Sequence, residues 1–236
     1  MKRLIKTLRA VVLCSFTVVV GCATTQQARS VAPSGFLKNT SQLKEGEGDQ
    51  ALLTYRNPRA QWSNYSKILI NPVQIYAAPD ADMNSDSKEE RVALANYFTS
   101  ALVENLKKNF TIAQRPGPDV LRLRVALTDA DQSEVLLDTI STVMPIGLAV
   151  STAKRLAFGS DTAVGFAQAE MEVLDSETST RLAAAVDKRY GTKALRAKFG
   201  SWNHAQEAMD HWAEQISTKL VEAGAGRQPA ARGGRR

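Results

Sequence analysis

Residues 167–190 read AQAEMEVLDSETSTRLAAAVDKRY. Ala167, Ala169, Met171 and Val173 alternate with Gln168, Glu170 and Glu172, the period of a strand with one buried face and one wet face. Residues 175–180 (DSETST) are turn chemistry, and residues 182–190 return as the second arm of a hairpin. Upstream, Leu121, Leu123, Val125 and Leu127 alternate with Arg122, Arg124 and Ala126, which predicts a further half-buried strand. Earlier still, residues 67–76 (KILINPVQIY) read as a strand in which Pro72 argues for an edge position or a bulge.

Two helices frame these strands. Ser87-Lys88-Glu89-Glu90 fits a capping box, in which hydroxyl and carboxylate reciprocally satisfy free amides. The helix that follows carries Val92, Ala95, Phe98, Leu102 and Leu106 as one apolar stripe. Ser201 is placed to cap a second helix running to about Glu222. Its stripe is Trp202, Ala205, Met209, Trp212, Ile216 and Leu220, and Gly224 supplies the stop. The order strand, helix, strands, helix predicts a single α/β (α+β) domain over residues 34–224. Its simplest form is a mixed or antiparallel sheet of about four to five strands with both helices packed on one face.

The 236 residues are 44% apolar, 23% charged and 6% aromatic, which excludes collagen, coiled-coil arrays and wholesale disorder. The net charge of +6 resembles a nucleic-acid signal until it is located. Lys2, Arg3, Lys6 and Arg9 lie at one end, and Arg227, Arg232, Arg235 and Arg236 at the other. Between them, 22 bases face 24 acids. The basic balance belongs to the ends, so nucleic acid is not the expected partner. Residues 225–236 are Gly-, Pro- and Arg-rich and predict a disordered tail.

The N-terminal segment is an address. A basic stretch precedes ten apolar residues, 11–20 (VVLCSFTVVV). As a helix these rise only about 15 Å, half of a bilayer core, so residues 1–21 read as a signal peptide rather than a membrane span. It closes on Val19-Val20-Gly21-Cys22, which resembles the lipobox of bacterial lipoproteins. The resemblance implies diacylglycerol on the Cys22 thiol, cleavage before it, and a palmitate-type chain on the new amine. Several chains make such anchoring lasting. Ala23 follows where an Asp commonly signals inner-membrane retention, which implies the outer membrane, facing the periplasm. Residues 22–33 read as a flexible tether. Cys14 is removed with the signal, leaving Cys22 alone and no disulfide.

The stretches SGFLKNTSQL (34–43), YRNPRAQWSNYSKILINPVQIY (55–76), GSDTAVGFAQAEMEVLDSETSTRLAAAVDKRYGTK (159–193) and SWNHAQEAMDHWAEQISTKL (201–220) together resemble a family of uncharacterised bacterial lipoproteins. It is a domain-of-unknown-function family with an SGFL opening. The resemblance spans nearly the whole mature chain and implies an envelope setting and one α/β domain. It brings no catalytic or binding residues. Family members often carry an aromatic residue after SGFL, where this chain has Lys38-Asn39-Thr40.

The sequence carries few groupings suited to catalysis or metal binding. His204 and His211 lie two helical turns apart, nearly opposite the apolar stripe and beside Glu207 and Glu214. They read as a solvated face, and metal binding would need ligands from another element. Glu89-Glu90 suits the first turn of a helix, where the dipole favours negative charge. Glu170 and Glu172 read as the wet side of a strand. Signatures for nucleophile elbows (GxSxG), zincins (HExxH), P-loops and dinucleotide folds (GxGxxG) are missing. No cofactor and no metal site are expected.

Residues 135–158 (VLLDTISTVMPIGLAVSTAKRLAF) break the local rules. No charge falls between Asp138 and Lys154, yet the uncharged run is shorter than the ~20 residues of a membrane span. The segment is either a buried connection with a short helix from Pro145, or an interface meeting membrane or subunit. In the second reading Ile146 and Val150 supply apolar contact, and Lys154 and Arg155 suit an anionic surface. The expectation is a lipid-anchored envelope protein acting as a non-enzymatic binding or assembly module, through an envelope protein partner or self-association. The alternatives are a subunit of an oligomeric ring in a secretion or polysaccharide system, and a periplasmic hydrolase.

Overall fold

Three long strands carry the architecture. The computed structural model describes residues 25–132, 165–191 and 202–226. In chain order it contains β1 (Thr25–Gln27), β2 (Lys44–Glu45), β3 (Leu53–Arg56), β4 (Lys67–Ile70), β5 (Gln74–Ile75) and α1 (Lys88–Leu106). There follow β6 (Thr111–Ile112), β7 (Val120–Asp131), β8 (Phe166–Asp175), β9 (Arg181–Gly191) and α2 (Asn203–Glu222). β7, β8 and β9 pair antiparallel along almost their full length. The turn between β8 and β9 closes because the Asp175 carboxylate accepts the amides of Glu177 (3.1 Å) and Thr178 (2.7 Å). This is the local bonding that makes Asp a turn residue.

Short strands extend the sheet on both sides. β4 lies parallel to β7, with β6 beyond it, and β5 pairs the far end of β7. β3 and β1 occupy successive stretches of the outer edge of β9, and β2 pairs β3. The sheet is therefore mixed and has nine strands among the described residues, not four to five. The uncounted strands are two to four residues long, too short for any alternation to be read. Pro72 divides the expected strand 67–76 into β4 and β5, because a residue without an N–H interrupts the ladder.

Both helices pack on one face, as expected, and the main core lies between them and the sheet. The capping box of α1 forms: the Ser87 hydroxyl accepts the Glu90 amide (3.2 Å), and Glu90 accepts the Ser87 amide (3.1 Å). The stripe differs at its start. Val92 is 45% exposed, and Leu94, with Ala95, Phe98, Leu102 and Leu106, is buried against α2 and the sheet. α2 starts at Asn203 with Trp202 in the cap position and no side-chain cap; Ser201 lies outside the described residues.

Two boundaries move. Residues 25–27, expected within a tether, form β1, and Thr25 is buried against Gly191. At the other end, Ala225 is buried and the Gly226 amide donates to the Tyr65 carbonyl (2.8 Å). The packed body therefore includes two residues past position 224. Residues 227–236 of the expected tail lie outside the described residues.

Candidate functional site

Alternation sends Glu170 and Glu172 from β8 to the face away from the helices, but that face is covered. Residues 31–43 lie on it, and Phe36 and Leu37 are buried with Ala126, Ala184 and Val186. Glu170 is fully buried. One carboxylate oxygen accepts the Ser34 amide and the other the Leu37 amide at 3.0 Å. Gly35 between them has φ +101°, a conformation that costs little only without a Cβ. Glu172 pairs with Arg124 and with Arg181, whose Nη2 is 2.9 Å away. Arg124 also lies over the Phe36 ring, 4.9 Å from its centroid, and Arg181 donates to the Asn39 carbonyl (2.6 Å). Two acids read as solvated are instead enclosed and paired, because burying a carboxylate demands such partners.

A third buried acid, Asp187, ties β9 to α2. Asp187 accepts Trp212 Nε1 (2.8 Å), Gln27 Nε2 (2.8 Å) and the Leu52 amide (3.2 Å), with Arg189 at 3.8 Å. His211 is half-buried at this junction. Burial, and then the Arg189 charge, push its pKa below the usual imidazole value. His204 is 3% exposed and packs on Gly191, 3.9 Å from Glu207. The two histidines therefore do not form a solvated face. α2 packs against both the sheet and the neighbouring α1, which buries a wider sector than a single stripe provides. Among the described residues no three His, Cys, Asp or Glu side chains converge as a metal site would require.

The third grouping is the candidate site. The β7–β8 register slips between Leu127 and Asp129, a bulge that turns Asp129 and Asp131 away from the helix face. Cross-strand neighbours there are Gln168 with Lys188, and Phe166 with Tyr190. The Lys188 ammonium sits 3.7 Å from the Phe166 ring centroid, and the Phe166 and Tyr190 rings are 5.6 Å apart. A buried cation over a ring face is worth more than an exposed one. Burial lowers the Lys188 pKa, opposed by the charges of Asp129, Asp82 and Asp131. Burial pushes Asp129 up to about 6, against the Met83 amide at 3.3 Å and the Lys188 charge. Burial likewise raises Tyr190. A half-buried carboxylate that changes charge near neutrality, beside an ammonium and an aromatic wall, is equipped to bind a polar ligand or to exchange a proton.

The sequence alone does not reveal this grouping. Its trace was acids at 129 and 131 continuing an apolar strand, but only the bulge brings them beside Lys188. Of the residues singled out from sequence, Cys22, Ala23, Ile146, Val150, Lys154 and Arg155 lie outside the described residues. Glu89 and Glu90 occupy the first turn of α1.

The chain belongs to the family described as protein of unknown function (DUF3313), which matches residues 32–216. The match starts two residues before the Ser34–Leu37 loop and ends within α2. No curated protein sequence matches the chain. Similar solved structures include a PelC dodecamer from Paraburkholderia phytofirmans, at 11% identity and TM-score 0.36 over 74% of this chain and 96% of that one. A DUF330 protein from Xanthomonas campestris has 10% identity and TM-score 0.39 over 71% and 91%. The lipoprotein GNA1162 from Neisseria meningitidis has 11% identity and TM-score 0.32 over 66% and 99%. These likenesses are too distant to transfer an activity.

Proposed function

We propose that this chain is a lipid-anchored envelope protein that works as a binding or assembly module and not as an enzyme. The anchor is Cys22, and Ala23 directs the protein to the outer membrane, facing the periplasm. The observation that carries the non-enzymatic reading is the commitment of the buried acids. Glu170 is held by two amides, Glu172 by two arginines, and Asp187 by Trp212, Gln27 and the Leu52 amide. The Ser34–Leu37 stretch serves as a strap over the sheet, with Phe36 and Leu37 as its apolar contacts. Such a scaffold supports recognition by the Asp129–Lys188 grouping and by the 135–158 segment, whose contact residues are Ile146, Val150, Lys154 and Arg155.

Labelled fatty acid fed to cells tests the anchor: wild type takes it up, and Cys22→Ala accumulates as an unlabelled precursor. Labelling of the variant overturns the anchor. Density-gradient fractionation tests the address, and co-migration with inner-membrane markers overturns it. Crosslinking in intact cells tests the module. Ile146→Asp with Val150→Asp should remove the adducts while the fold persists. Turnover of an envelope polymer by the purified protein, lost in Asp129→Asn, would establish an enzyme instead.

A further inference from the structure

The lipid anchor and the first strand are close in sequence, and that distance fixes a geometry. Cys22 precedes Thr25, the first residue of β1, by three positions. Three Cα steps reach at most about 11 Å. Thr25 is not on a swinging arm. It is 3% exposed, pairs in register with Gly191, and is held by Arg189, whose Nε donates to its hydroxyl (2.8 Å) and whose Nη2 donates to its carbonyl (3.3 Å). The Ala28 amide continues the attachment to the Lys188 carbonyl (2.8 Å). β1 runs antiparallel to β9, so the chain before Thr25 leaves past the Gly191 end of the sheet.

We propose that this end of the sheet, marked by Thr25, Gly191, Phe166 and Tyr190, is a membrane-apposed surface whose partner is the lipid bilayer. The proposal rests on acylation at Cys22. It adds an orientation that lipidation alone does not impose, because a domain on a long tether tumbles freely. β9 spans eleven residues, so its Arg181 end and the Glu177 turn lie about 33 Å from Gly191 and face away from the lipid. The side chains at the apposed end suit a water–lipid boundary. Tyr190 is a half-buried aromatic with a polar tip, and the half-buried Lys188 carries its charge on an apolar stem. The charge there is mixed, with Asp82, Asp129 and Asp187 near Lys188 and Arg189. The short covalent leash, not net charge, therefore sets the contact. The Asp129–Lys188 grouping then works beside the bilayer surface.

The test uses the full, natively lipidated protein in vesicles of phosphatidylethanolamine and phosphatidylglycerol bearing a nitroxide on a fraction of headgroups. The acylated Cys22 leaves no competing thiol once the signal is removed, so single cysteines can be labelled with a fluorophore. Gln26→Cys, Arg29→Cys and Glu177→Cys all replace exposed residues. Quenching should fall in that order, with Gln26 quenched at least threefold more than Glu177. Equal quenching at Gln26 and Glu177, or the reverse order, overturns the orientation. The intact mass, read first, separates the two layers. A mass without acyl chains ends the anchor reading and the orientation with it, whereas an acylated protein with flat quenching ends the orientation alone.

Discussion

The carboxylate of Glu170 accepts the backbone amide of Leu37 at 3.0 Å across 133 residues of sequence. With the Ser34 amide on its other oxygen, this fully buried acid closes the Ser34–Leu37 loop over the sheet. A carboxylate is the right group for this position. Its two oxygens accept two amides at once, and the charge strengthens both bonds at a position buried from solvent.

Glu170→Ala should therefore be among the costliest single changes in the body. It strands the buried Leu37 amide and the part-buried Ser34 amide and removes a charge-assisted bond from each, a loss of about 2–3 kcal/mol in denaturant unfolding. Glu170→Gln, which keeps one acceptor oxygen, should lose about half of that. Hydrogen exchange should quicken at Ser34 and Leu37 in both variants. Unchanged exchange there would contradict the strap.

Gly191 should tolerate no side chain. A Cβ on it would lie 1.9 Å from His204 Nδ1 and 2.2 Å from Cγ. Gly191→Ala is expected to cost about 3 kcal/mol through forced displacement of α2. His204→Ala in the same chain should recover only part of it, because the remaining Cβ at position 204 still lies 2.6 Å from the new one. The measurement is a double-mutant cycle, and additive losses would show that the two positions are not coupled.

The pH dependence of stability should carry the signature of Asp129. Its folded pKa of about 6 lies above the ordinary carboxylate value, so the native state binds this proton more tightly than the unfolded chain. The contribution is fully present below about pH 4 and is lost as pH rises through about 6. Asp129→Asn should consequently be more stable than wild type at pH 7.5, by about 2–3 kcal/mol, with the gap closing below pH 4. Unfolding curves at four pH values check the sign, and a gap that widens in acid would refute it.

The two ends of the C-terminal stretch should behave differently. Removing residues 227–236 is expected to leave the melting temperature unchanged. Removing residues 225–236 takes away buried Ala225 and the bond from the Gly226 amide to the Tyr65 carbonyl. That larger deletion should cost about 1–2 kcal/mol. Equal melting temperatures for the two truncations would show that the contact adds nothing.

The long elements are written in local sequence patterns. Period-two alternation in β7 and β8, turn chemistry at Asp175, the Ser87–Glu90 capping box and the apolar stripe of α2 are local signals. Each is satisfied by neighbours within a few residues, so each is legible one-dimensionally. The strands of two to four residues were not, because their existence depends on an edge offered by β9 or β7. Burial of the polar groups depends on long-range packing. Alternation places Glu170 and Glu172 opposite the helices but does not say whether water or the Ser34–Leu37 loop lies there. His204 reads as solvated until Gly191 leaves the space that admits it. Asp129 meets Lys188 only through a bulge in register. In each case the residue's own position fixes its direction, while its environment comes from chain segments dozens of residues away, and burial and pKa follow from that environment.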